Sequence, residues 1–421
     1  MIIDRVWARE VLDSRGNPTV EAEITVGGQK VTAIAPSGAS TGSFEAHELR
    51  DGDKRYGGKG VLKAVDNIRT LIARKLVGMD PADQRAIDEV LITLDGTENK
   101  EKLGGNAMVA VSLAAAKAGA LSEGVSVYQH IGDDGMTLPV PMFNIINGGK
   151  HAGGSLSIQE FMIIPTGAPS FSECLRTASE VYASLRSILK KKYGPGAINL
   201  GDEGGFAPPL RSASEAMDTI VSAISDAGYT PGSDVFLALD AASSEFFSKD
   251  IYNFDGRDIT PGELLDTYRE LAKNYPLISI EDPFFEDDFD STRDLTKKIG
   301  SKVQIVGDDL FVTNTKRLEK GITMGAANSM LLKVNQIGTV TEAGDAAAMC
   351  FRNGYTVVVS HRSGESEDTT IADLSVGWGA GQIKTGAPAR GERTAKYNRL
   401  LRIEEEIGPK AVFPGKKAFR Q

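Results

Sequence analysis

The sequence predicts an α/β protein, a (β/α)8 barrel behind a small N-terminal α+β domain, and three observations carry this. From Leu138 onward, short apolar strand runs alternate with helical patterns, which specifies parallel strands joined by crossover helices. An ionisable residue then closes strand after strand, as it does where strand ends converge on the mouth of a barrel. Before that point the pattern differs: a strand hairpin comes first and helices follow.

The N-terminal unit, residues 1–135, opens with the alternating run Thr19–Val26, which turns at Gly27-Gly28 into Lys30–Ala35. Helices are expected at Gly60–Leu76, Pro81–Thr93 and Gly105–Ser122. In residues 136–421 the strand runs are Phe161–Pro165, Ala197–Leu200, Val235–Leu239, Leu277–Ile280, Val303–Val306, Ser329–Leu332, Thr356–Val359 and Gln382-Ile383. Helical patterns between them include Ser172–Lys192, Ser212–Ala227, Pro261–Asn274, Thr339–Arg352 and Gly391–Glu406. Asp240, Glu281, Asp308, Lys333, His361 and Lys384 each follow a strand run, at successive gaps of 41, 27, 25, 28 and 23 residues. These gaps match one strand–helix unit, except the first, which requires an insertion. Scattered loop charges would not keep that phase.

Bulk properties exclude several classes. Of 421 residues 41% are hydrophobic and 25% charged, an ordinary globular balance. A net charge of −10 leaves no basic face for nucleic acid, though a metal or a few cations can still hold a phosphorylated substrate. No run of about 18 apolar residues suggests a membrane span. The start, Met1–Arg5, lacks the apolar stretch of a signal peptide, so a cytoplasmic protein is expected. Cys174 and Cys350 fall in helical patterns and are expected as free buried thiols.

The converging residues define a chemistry. Asp240, Glu281 and Asp308 offer only oxygen, which suits a hard cation, magnesium better than calcium. The alternative is three separate ion pairs with Lys and Arg. Lys333, within Met330–Val334, becomes a usable base if a dication pushes it toward the neutral amine; alternatively it is the counter-ion of Asp308. Glu203, in the glycine-flanked Gly201–Gly205, would complete an acid–base elimination opposite Lys333. His361-Arg362-Ser363-Gly364 and Lys384 suit oxyanions. Ser37–Gly42 and Gly148–Gly154 read as mobile loops or ordinary surface turns, and Gly377–Gly381 lacks the strand and helix of a dinucleotide fingerprint.

The chain resembles the enolase family over essentially its full length. The matching stretches are Asp13–Glu21, Ser37–Gly42, Gln159–Met162, Gly201–Gly205, Leu239–Phe246, Glu281–Phe284, Gly307–Leu310, Leu331–Thr339, Ser360–Glu365 and Lys384–Gly386, in that order. The resemblance implies a modified TIM-type (β/α)8 barrel with irregular first units, and Mg-dependent dehydration of 2-phosphoglycerate to phosphoenolpyruvate. It implies that Asp240, Glu281 and Asp308 hold one magnesium ion, and that Ser40 helps hold a second arriving with substrate. Lys333 would remove the C2 proton, and Glu203, supported by Glu160, would assist loss of the C3 hydroxyl. Arg362 and Ser363 would bind phosphate and Lys384 the carboxylate. His151 and Gln159 would close over the ligand, and His361 would line its hydroxyl side. Family members form dimers, some of them octamers as four dimers; Glu21 would then meet Arg402 of a second copy, unless Arg402 pairs with Glu404, Glu405 or Glu406 on its own helix. Two alternatives are another dehydratase or racemase on this barrel, and a non-catalytic binding protein descended from an enzyme.

Overall fold

The structure is a computed structural model that describes residues 1–38, 44–132, 136–149 and 156–419. Ser40 and His151 therefore lie outside the described residues.

The chain opens with an antiparallel meander of β1 (Ile3–Leu12), β2 (Pro18–Val26) and β3 (Gln29–Ile34). Gly27 and Gly28, with φ of 55° and 78°, join β2 to β3 in a two-residue turn that pairs Val26 with Gln29. Both central positions lie left-handed, where glycine carries no Cβ penalty. The helix Gly105–Glu123 packs across this sheet and is buried over most of its length. The expected helices at Gly60–Leu76 and Pro81–Thr93 appear as Leu62–Leu76, with one wider turn at Ile68–Ile72, and Gln84–Asp95.

Eight strands close a barrel: β4 (Val140–Asn147), β5 (Glu160–Ile164), β6 (Phe236–Asp240), β10 (Leu277–Glu281), β11 (Gln304–Gly307), β12 (Ser329–Leu332), β13 (Thr356–Ser360) and β14 (Gly381–Lys384). Three short strands, β7 (Phe247–Ser248), β8 (Ile251–Phe254) and β9 (Arg257–Ile259), form a separate antiparallel sheet. That sheet is the insertion required by the long gap between Asp240 and Glu281.

Two expectations are corrected. Ala197–Leu200 is not a barrel strand; its first half lies in the short 3-10 helix Pro195–Ile198 and Leu200 makes only an isolated bridge to Phe206. Its place is taken by β4, whose Pro141, Asn144 and Asn147 disguise a fully buried strand. Nor are all strands parallel. β5 runs antiparallel to both β4 and β6, whereas β4 is parallel to β14 and β6 to β10. The first residue of β5, Glu160, consequently lies beside Asp240, the last of β6.

Inside the barrel, side chains such as Met142, Met162, Ile278, Val306, Leu331 and Val358 fill the lumen, and Phe419 closes the end away from the strand C-termini. Cys174 and Cys350 are free and buried, as expected. The meander touches the opposite end: Ser37 and Gly364 exchange two backbone hydrogen bonds of 2.8 Å. A Cβ on Gly364 would come within 2.8 Å of Ser37, Asp13 and Arg15, so only glycine admits this approach.

Candidate active site

The mouth is lined by Gln159, Glu160, Glu203, Asp240, Asp308, Lys333, His361, Arg362, Ser363 and Lys384 around one cavity. Most arrive by strand geometry. Asp240, Glu281 and Lys384 end β6, β10 and β14; Asp308, Lys333 and His361 immediately follow β11, β12 and β13. Reversal of β5 brings Glu160 to the same rim.

Lys384 is the electrostatic centre. Its ammonium donates to Asp240 Oδ2 and Glu281 Oε2, both at 2.9 Å, and lies 3.3 Å from Glu160 Oε2. One lysine cannot neutralise three buried carboxylates. Burial, with Glu203 beside it, pushes Glu160 well above the usual carboxylate range, and burial with Asp240 does the same to Glu281. Glu281 Oε1 is buried with no hydrogen-bond partner among the described residues.

Asp308 is different. Burial would raise it, but the ion pair with Lys333 wins and holds it below its ordinary value. Reciprocally, Asp308 outweighs the burial of Lys333 and raises the lysine. The counter-ion alternative for Lys333 is therefore what the structure contains. Gln336 Nε2 donates to the other oxygen of Asp308 at 2.8 Å. A neighbouring acidic group, Asp282, Asp308 and Asp309, brings oxygens within 4.8 Å of one another. Asp282 there accepts the amides of Asp308 at 2.8 Å and Asp309 at 2.7 Å, so it braces the loop after β11. Asp309 is pushed up to about 7 by burial and by Asp308.

Glu203 sits on the stretch between the helices Phe171–Tyr193 and Ala213–Asp226. Asn144 Nδ2 donates to it at 3.1 Å and Ser363 Oγ at 3.3 Å, and His361 Nε2 lies 3.4 Å away. Arg362 forms a two-pronged pair with Glu45, at 2.8 and 3.1 Å, which ties the N-terminal unit to the mouth.

Sequence reasoning passed over Asn144, Glu45, Gln336 and Arg393. Gln336 was accessible, one helical turn beyond Lys333 inside a quoted motif. Arg393 gave no signal, because its partners lie about 30 and 190 residues away in sequence. Glu21, expected to meet Arg402 of a second copy, pairs with Arg9 across β1 and β2. Arg402 is exposed, and Arg399 instead takes Glu406 at 2.7 Å.

The family model described as Enolase, C-terminal TIM barrel domain matches residues 135–421, and that described as Enolase, N-terminal domain matches residues 3–131. A protein called Enolase from Thermococcus kodakarensis is 59% identical over 418 residues, spanning 99% of this chain and 97% of its own. Relatives of the same name from Thermococcus gammatolerans and Pyrococcus furiosus are each 57% identical, over 418 and 419 residues with the same coverage. With both halves matched and identity this high end to end, the chain belongs to the enolase family.

Proposed function

We propose that this chain is a hydro-lyase that interconverts 2-phosphoglycerate and phosphoenolpyruvate, with magnesium, in the cytoplasm. The observation that supports this most is the gathering of Asp240, Asp308, Lys333, Lys384 and Glu203 around one cavity, with Glu281 bound to Lys384 beside it. The donor set fits a hard divalent cation: it is all oxygen, it carries more negative charge than Lys384 can balance, and Glu281 Oε1 has no hydrogen-bond partner among the described residues. Asp240, Glu281 and Asp308 would hold one magnesium ion, and Ser40 would contribute to a second that comes with substrate. Bound magnesium supplies the positive charge that lets a carboxylate carry extra negative charge as its α-proton leaves.

The chain's residues do the rest. Lys333, which would be released from its ion pair if Asp308 held the metal, takes the C2 proton. Electrons of the C2–H bond form the C2–C3 double bond, and the C3 hydroxyl leaves as water with a proton from Glu203. Glu160, pushed toward its neutral form beside Glu203, supports that donation. Arg362 and Ser363 bind phosphate, Lys384 the carboxylate, and His151 and Gln159 close over the ligand. His361 lines the hydroxyl side. We assign residues 1–135 to the capping unit and 136–421 to the barrel, and expect a homodimer or an octamer of four dimers.

Ultraviolet absorbance of the enol double bond tests the reading directly. Purified protein with 2-phosphoglycerate should gain absorbance with magnesium and none with chelator. No gain under either condition refutes it.

A further inference from the structure

We propose that Arg393 locks His361 in the tautomer carrying its proton on Nε2, so that His361 serves the mouth as a neutral hydrogen-bond donor and not as a base. Arg393 lies on the helix Gly391–Ile407 and is completely buried. Its Nη1 lies 2.7 Å from His361 Nδ1 and 2.6 Å from the Arg362 carbonyl. Its Nη2 donates to the carbonyls of Ser363 at 2.7 Å and Asp202 at 3.1 Å. A guanidinium has five N–H donors and no acceptor, so the imidazole nitrogen facing it must present a lone pair. Neutral imidazole then keeps its single proton on Nε2.

That nitrogen points the other way. His361 Nε2 is buried, has no hydrogen-bond partner among the described residues, and lies 3.4 Å from Glu203 Oε2 in the wall of the cavity. The His361 backbone is fixed, its amide donating to the Lys384 carbonyl at 3.0 Å and its carbonyl accepting from Ser360 Oγ at 3.0 Å, and the buried ring is held at Nδ1 by Arg393. The surroundings favour the neutral form on balance. Burial lowers the imidazole most, Arg393 adds to this, and Glu203 and Glu365 only partly oppose, leaving it pushed down to about 4. A doubly protonated ring would set an N–H against the guanidinium. That the donor serves a substrate oxygen rests on the function proposed above; the tautomer does not. On this reading the departing hydroxyl receives its proton from the Glu203–Glu160 side alone.

The full chain labelled with 15N-histidine tests the tautomer without turnover. It contains four histidines, and the signals of His361 are those lost in His361→Gln. From pH 5 to 9, wild type should show a protonated Nε2 and an unprotonated Nδ1, with no titration near the ordinary histidine value of about 6.5. A proton on Nδ1, or titration near 6.5, overturns the proposal even if the enzyme dehydrates its substrate. In a folded Arg393→Met variant the tautomers should mix and the midpoint should rise. An unchanged tautomer and midpoint in that variant would assign the lock elsewhere and also overturn it. If Arg393→Met does not fold, the wild-type spectrum alone decides. Loss of dehydratase activity with the expected spectrum would sink the proposed function and leave the lock standing.

Discussion

Lys384→Met would strip the mouth of its central cation, and the size of the effect follows from the ion pairs. The ammonium touches Asp240 and Glu281 at 2.9 Å and Glu160 at 3.3 Å, all buried. Removing one partner of a buried ion pair costs about 3–5 kcal/mol. At ~2 °C per kcal/mol, the low end for large domains, the apparent Tm should fall about 6–10 °C near pH 8. The sign with pH is set by the carboxylates. Glu160 and Glu281 already lie well above 4.5, so the stability linked to them is full below that value and is lost as pH rises. Without Lys384 they rise further, and the deficit should shrink as pH falls toward 5. Magnesium should recover part of the loss at pH 8, since a dication compensates the same oxygens. Scanning calorimetry at the two pH values, with and without magnesium, checks all three points. An equal fall at both pH values, or no fall at pH 8, would refute the assignment of Lys384 as the balance of this cluster.

Three further expectations follow from the site. Lys333→Ala should abolish exchange of the C2 proton with solvent while retaining magnesium binding, whereas Glu203→Gln should stop net dehydration and keep some exchange; proton NMR of the substrate in heavy water separates them, and equal loss of exchange in both would merge the two roles. Activity should vanish in chelator and return with magnesium, less well with calcium, while Asp308→Asn should weaken the titration of activity by magnesium; turnover in metal-free buffer counts against the whole mechanism. Glu21→Arg should shift sedimentation toward monomer, with Arg402→Glu restoring part of the dimer. Because Glu21 also pairs with Arg9, the rescue by Arg402→Glu is the informative arm.

What the sequence made legible was periodic. Asp240, Glu281, Asp308, Lys333, His361 and Lys384 were found because strand–helix units repeat at nearly constant length and put them in phase. In the structure Asp240, Asp308, Lys333, His361 and Lys384 line one mouth, and Glu281 joins them through Lys384. What escaped was directional or long-range. Hydrophobic pattern is blind to the sense in which a strand runs, so the reversed β5 left no trace. β4 was hidden by Pro141, Asn144 and Asn147, residues that weaken a strand pattern although the barrel buries all of them. Arg393 and Asn144 meet the site only through the closed fold. Lys333 offered two readings, and the one found, ion-paired with Asp308, depends on a distance that spacing cannot supply.

The reversal of β5 imposes an arithmetic of parity. β5 leaves the mouth and finishes at the far end, where Gly167 donates to the Asp234 carbonyl just before β6 begins. A path that starts and ends on the same side must cross the barrel's height an even number of times. It does so twice, through the helices Phe171–Tyr193 and Ala213–Asp226. An even number of crossings forces one bend onto the opposite rim, and that bend is the stretch carrying Glu203, pinned where Phe206 donates to the Ile145 carbonyl. In an all-parallel unit the bend at that rim would join a strand directly to its helix. Inverting one strand thus turns that rim loop into a helix-to-helix bend without lengthening any strand or changing the barrel's strand count.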